Sequence, residues 1–246
     1  MWSRLALAGL LAVGLAASSA HAPALAQAWQ CRPPASLPQP VVDQRQSGEV
    51  RRTAVDGYIL ALSWSREYCR GRENSARDAL QCGGMMGEFG FVLHGLWPEA
   101  KGPDYPQWCR TAAPLPRKVV AQNICMTPSV QLLQHQWAKH GTCMTRRPES
   151  YFNAARILFN ALEFPDMDRL SRRGEQDGTL TAAKLTEEFA LTNDGLPEAA
   201  IRVKTNRRGW LEEVHICLNR KFKPRTCPTF NRGVPANAQI RIWRGS

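Results

Sequence analysis

The sequence predicts a single α+β domain, a mainly antiparallel sheet flanked by helices and stapled by about four disulfides. Three observations predict it. Apolar runs of strand type occupy the early and late parts of the chain, and runs of helical period lie between them. No internal repeat or clear linker divides the 246 residues, a length that suits one domain or at most two small ones. Eight cysteines follow an export-type leader, an even count that argues for disulfides rather than a metal cluster.

The leader is residues 1–26. Arg4 supplies its positive region and Leu5–Ala17 its apolar core, which is too short for the roughly 20 apolar residues of a membrane span. Small-residue cleavage patterns end at Ala22, Ala26 and Ala28; Pro23 obstructs the first, so the cut is expected after Ala26 or Ala28. Residues 27–246 then form the domain. No later segment is apolar enough to cross a membrane, so the mature protein is expected to be soluble, secreted or periplasmic, not membrane-inserted, and monomeric.

Arg32–Pro40 is rich in proline and reads as a surface stretch tethered by Cys31. Tyr58–Trp64 reads as a strand, and Gly83–Gly90 as a glycine-rich loop leading into the short strand Phe91–His94. Alternation there puts Phe91 and Leu93 on one face, Val92 and His94 on the other. Pro98–Pro116, with five prolines, reads as loop. Thr127 as N-cap and Pro128 at the first position start a helix expected to run to about His140 and stop at Gly141. A second helix is expected over 150–162, from the spacing of Phe152, Ala155, Leu158, Ala161 and Leu162. Strands are expected at Ile201–Val203, Leu211–Cys217 and Ile240–Trp243.

Charge narrows the partners. A formal charge of +11 suits polyanions, whether nucleic acid, acidic glycan or anionic lipid, without choosing among them. No cysteine pair has Cys-x-x-Cys spacing, so a zinc ribbon has no support.

The histidines choose more sharply. Three of the four that remain after the leader, and His21 with it, are removed lie in two compact segments, Phe91–Pro98 and His135–Cys143. At a helix end His135 with Lys139, and Gln136 with His140, are i,i+4 neighbours, so two imidazoles, an ammonium and an amide share one side while Trp137 turns to the core. Such a cluster suits a phosphate. With His94 facing it, two imidazoles flank one phosphodiester, the arrangement that RNA transesterification requires. One neutral histidine takes the 2′-hydroxyl proton and one protonated histidine supplies a proton to the leaving 5′-oxygen. An ordinary histidine, with a pKa of about 6.5, holds either state near neutrality. Lys139 and His135 would stabilise charge on the non-bridging oxygens. The substrate carries its own nucleophile, so no metal or cofactor is called for.

The two segments resemble the paired signature of the T2 ribonuclease family, acid endoribonucleases that include plant self-incompatibility ribonucleases and bacterial periplasmic ribonuclease I. Phe-Val-Leu-His-Gly-Leu-Trp-Pro at 91–98 looks like its first active-site block and His135–Cys143 like its second. Leu62–Cys69 resembles the family's first strand, and Cys217 to Cys227-Pro228 its C-terminal disulfide loop, so the likeness covers about residues 55–230. The resemblance implies an α+β fold and endonucleolytic cleavage of single-stranded RNA through a 2′,3′-cyclic phosphate, with low base specificity and often an acidic optimum. By motif position it makes His94 and His140 the acid–base pair. His135 and Lys139 become phosphate-binding and charge-stabilising groups, Trp97 a base-stacking residue and Tyr105 a further wall of the base pocket. It pairs Cys109 with Cys143 and Cys217 with Cys227, leaving Cys69 with Cys82 and Cys31 with Cys125.

One position departs from the family: Gln136 stands where Glu is usual. Glutamine can donate to a phosphoryl oxygen but carries neither proton nor charge. Activity is expected to survive, with an altered rate and a pH optimum lower than that of Gln136→Glu, because a nearby anion favours the charged imidazole. The two pH–rate profiles check this, and identical profiles would refute it.

Rival readings remain at this stage. A catalytically weak RNA- or polyanion-binding protein on the same fold would keep Gln136 as the mark of lost activity, though a mere binder has no need of both histidines and Lys139. A cysteine hydrolase using Cys143 with His140 requires a free thiol. A metal site is disfavoured, because His135 and His140 stand roughly 140° apart around a helix. His215, alternating with apolar residues, reads as structural. The basic runs Lys204, Arg207, Arg208 and Arg146-Arg147 read as solvated surface that can help RNA approach.

Overall fold

A computed structural model describes residues 31–42 and 49–245. The expected leader, His21 and both cleavage positions lie outside the described residues. Strands β1 (Gly57–Trp64), β2 (Phe91–Glu99), β3 (Ile201–Thr205) and β4 (Leu211–Asn219) form one sheet in the order β2-β1-β4-β3. Every neighbouring pair is antiparallel. β1 and β4 are central, and β1 is buried along nearly its whole length. The α+β class is therefore as the sequence predicts.

Register divides the sheet into two faces. Leu60, Leu62 and Trp64 of β1 share a face with Leu93, Leu96, Val214, Ile216 and Val203, and all are buried in one hydrophobic cluster. The opposite face carries Ile59, Ala61 and Ser63 of β1, with Glu213, His215 and Cys217 of β4 beside them. Short helices α1 (Ser65–Cys69) and α2 (Ala79–Cys82) follow β1. Between β2 and β3 come α3 (Arg117–Asn123), α4 (Val130–Gln136), a π turn (Trp137–Gly141), α5 (Thr142–Met144), α6 (Pro148–Asn160), α7 (Met167–Asp177) and α8 (Ala182–Thr192). Helix α6 packs on β1 and β2, where the buried Tyr151 hydroxyl accepts from Leu96 N–H and donates to Leu96 C=O.

Several sequence expectations need correction. The N-cap of α4 is Ser129, whose Oγ accepts from Leu132 N–H; Thr127 instead donates its hydroxyl proton to Leu93 C=O, fastening the helix entrance to β2. Gly141 does not stop the helix, which widens into the π turn and continues into α5. It is glycine for packing: a Cβ there would stand 2.4 Å from the Trp137 ring and 2.9 Å from Tyr151. β2 runs on to Glu99, and Pro98 is tolerated because β2 is an edge strand. The second helix starts at Pro148, a good first position, and ends at Asn160. Residues 240–243 are not a strand, since Arg241 meets Trp210, just before β4, at a single parallel bridge. Helices α3, α7 and α8 were not expected; Asp166 and Thr181 cap the last two by accepting from Arg169 and Lys184 N–H.

The bridges are Cys31–Cys125, Cys69–Cys82, Cys109–Cys143 and Cys217–Cys227, the four pairs that the family resemblance implies. Cys31–Cys125 spans 94 residues, the longest closure and hence the largest restriction on the unfolded chain.

Candidate active site

The site is built first by an irregularity in β2. Ala61 pairs with Gly95 and Leu62 with Leu93, so His94 is the extra residue of a β-bulge. In a regular strand, His94 and Trp97 would face opposite sides because they are three positions apart. The bulge shifts the phase and brings both to one face, with ring centroids 5.0 Å apart.

The end of α4 and the π turn then close over this face beside the edge strand. Gln136 is 2% exposed, and its Oε1 accepts from Trp97 Nε1–H at 2.7 Å. Gly95 makes that approach possible, since a Cβ there would lie 2.0 Å from Gln136 Oε1. His140 stacks on the Trp97 indole at 5.5 Å with a 28° tilt. Tyr105 lies 6.1 Å from His140, and Lys139 Nζ lies 5.9 Å from the Tyr105 ring. His135 stands edge-on to Trp108, whose N–H donates to Lys139 C=O at 2.8 Å. The Cys109–Cys143 bridge fastens the same loop to α5, so Tyr105 is carried by a segment pinned at two points.

His94, Trp97, Tyr105, His135, Gln136, Lys139 and His140 thus line one cavity of about 390 Å³. The basic residues Lys204, Arg207, Arg208, Arg146 and Arg147 are not part of its wall. Two residues join the site that sequence reading passed over. Glu213 Oε1 stands 2.6 Å from His94 Nδ1, and its Oε2 stands 2.7 Å from His215 Nε2. His215, expected to be structural, lies on the cavity wall, edge-on to Trp97 at 5.2 Å. The Glu213-Val214-His215 spacing did carry a signal, because i and i+2 of a strand share a face.

The electrostatics separate the two central histidines. Burial, then Lys139, His135 and His94, hold the His140 pKa well below the usual histidine range, so its ring rests neutral. Its Nδ1 is buried without a hydrogen-bond partner among the described residues. His94 by contrast stands against a carboxylate. Burial opposes ionisation of Glu213, but hydrogen bonds and charge from His215 and His94 outweigh it and hold the carboxyl well below the ordinary range. Farther along the cavity, burial raises the Glu99 pKa against the opposing pull of Arg225. Among the described residues no three His, Cys, Asp or Glu side chains are grouped as a metal site, and no cysteine is free. Cys143, bonded to Cys109, is no thiolate nucleophile, which removes the cysteine-hydrolase reading.

Known proteins resemble the chain in sequence and in fold. The family model described as the Ribonuclease T2 family matches residues 55–227. A "Probable ribonuclease" of Haemophilus influenzae is 33% identical over 191 residues, 73% of this chain and 64% of that protein. A "Ribonuclease" of Aeromonas hydrophila is 33% identical over 167 residues, covering 68% of this chain and 73% of that one. The chain therefore spans just under two thirds of the first relative's length. Among solved structures, trichomaglin, described as an S-like ribonuclease, superposes with a TM-score of 0.59 at 19% identity, over 77% of this chain and 98% of its own. RNase NT in complex with 5′-AMP gives 0.56 at 21% identity, over 77% and 98%. At these identities the likeness to both structures is one of fold.

Proposed function

The chain belongs to the ribonuclease T2 family, and on that premise we propose that it is a metal-independent endoribonuclease, cleaving single-stranded RNA by transesterification through a 2′,3′-cyclic phosphate with low base specificity. The observation that carries this reading is the convergence of His94 and His140, from a strand bulge and a π turn, on one indole, His94 edge-on and His140 stacked, with Lys139 in the same cavity.

The environments of the two histidines support one division of roles. His140, kept neutral by burial, takes the proton of the ribose 2′-hydroxyl, and the freed oxygen attacks phosphorus. His94, whose ring proton has a counter-charge in Glu213, gives a proton to the departing 5′-oxygen. Lys139, His135 and the amide –NH₂ of Gln136 stabilise charge on the non-bridging oxygens; Gln136 Oε1 is already taken by Trp97. Trp97 and Tyr105 form the aromatic walls for a base. The nucleophile belongs to the substrate, so the chemistry asks for no Lewis acid. We read the protein as a secreted or periplasmic monomer; its four disulfides favour the oxidising compartment.

The test is incubation of purified protein with RNA in EDTA, with analysis of product ends. Cyclic-phosphate ends are expected, and His94→Ala and His140→Ala should each lose about 10²–10⁴-fold in kcat, the range for general acid–base groups. RNA binding without cleavage would overturn the reading in favour of a polyanion-binding protein.

A further inference from the structure

The proposed mechanism takes a counter-charge for His94 from Glu213 without saying what brings the two together or holds the carboxylate in place. His94 and Glu213 belong to strands that are not neighbours, β2 and β4, with β1 between them. They meet because the bulge frees His94 from the ladder and because the intervening β1 residues on that face, Ala61 and Ser63, are small. Ser63 Oγ donates to Glu213 Oε1 at 3.1 Å, and His215 holds Oε2. Both carboxylate oxygens are therefore fixed, and the Glu213 side chain is only 21% exposed. Burying a carboxylate to this degree is costly unless its partners compensate.

We propose that Glu213, clamped by His215 and Ser63, is the positioning residue of His94, accepting its Nδ1–H so that Nε2 faces the scissile phosphate and supplying the counter-charge for the proton that His94 delivers. It rests on the ribonuclease reading of the same cavity. When His94 gives its Nε2 proton to the 5′-oxygen, the ring keeps the Nδ1 proton on Glu213, which stays ionised throughout, as orienting carboxylates do beside catalytic imidazoles. Glu213 thereby returns to the site the negative charge that Gln136 lacks, through His94 on the sheet rather than from the end of α4. The charged and titratable groups around Glu213 are His94 on β2, His215 and Glu212 on β4, and Lys204, its register partner on β3, with Tyr68, Arg77, Asp78 and His135 lining a cavity that Glu213 shares.

Two measurements decide it. Glu213→Gln keeps size and an acceptor but removes charge; kcat should fall about ten- to a hundredfold, the range for orienting partners, with KM changed less and the pH optimum moved to lower pH. His215→Gln, which keeps a donor to Oε2, should lose severalfold less. Independently of activity, ¹⁵N NMR of the histidine side chains should show the Nδ1–H form of neutral His94 in the parent protein and mixed tautomers in Glu213→Ala. A folded Glu213→Gln with parental kcat and pH profile, altered only in thermal stability, would overturn the proposal, as would mixed His94 tautomers in the parent. A parent protein that cleaves no RNA would instead sink the ribonuclease reading, and the tautomer measurement would still decide what Glu213 does to His94.

Discussion

His140 pays for its place in the site with stability in acid. In the unfolded chain an ordinary histidine takes a proton at about pH 6.5; in the folded protein burial makes His140 take it only at lower pH. Between those values the unfolded chain binds more protons, so stability is complete above about pH 6.5 and falls as pH drops toward the folded-state value. His140→Gln should therefore lose less Tm between about pH 7 and about pH 5 than the parent, measured by thermal denaturation. Equal losses would mean that His140 titrates normally. Glu213 works in a lower window: its stabilisation is present above about pH 4.3 and disappears as pH falls toward its depressed folded-state value. At this scale the sequence was most legible. His94 and the 135–140 cluster stand in local blocks whose residue types state their chemistry. Glu213 does not, because a single glutamate in an alternating strand reads as solvent-facing until the partner on another strand is known.

At the scale of elements, two departures from regular geometry make the site, and neither was legible. The bulge at His94 depends on how β1 and β2 pair, and the π turn at Trp137–Gly141 on what packs around it. The sequence reading ended the helix at Gly141 by ordinary capping rules, whereas contact with Trp137 and Tyr151 governs that glycine. Gly95 tests the bulge directly. Gly95→Ala would put a Cβ 2.0 Å from Gln136 Oε1 and 2.5 Å from Trp97 Nε1, forcing the end of α4 away from β2. A shift of about 1 Å between catalytic groups costs on the order of 10²-fold in rate. We expect a loss of that size in kcat/KM, with far-ultraviolet circular dichroism unchanged; parental activity would show that the two segments need not approach so closely. Residues 240–243 failed as a strand for a related reason, since their alternation is real but only one rung of pairing is offered to them.

For the whole molecule, class and disulfide count were predictable because both follow from composition and coarse pattern, whereas the strand order β2-β1-β4-β3 is a property of tertiary pairing. The charge of +11 also acts at this scale. Long RNA presents many phosphates to a basic surface, so kcat/KM on it should fall steeply between about 50 and 200 mM salt, while a dinucleotide substrate should respond far less. Equal salt dependence on both would confine the electrostatic contribution to the cavity itself.

Strand order also sets when the machinery becomes operational. β1 is paired on one side with β4, whose residues lie about 150 positions later, and the carboxylate beside His94 arrives with that same late strand. Pairings so distant in sequence form slowly. A nascent chain that has reached only its second histidine block holds both histidines of the proposed acid–base pair yet lacks the strand that carries Glu213. On the ribonuclease reading, competence therefore waits for β4 to pair with β1.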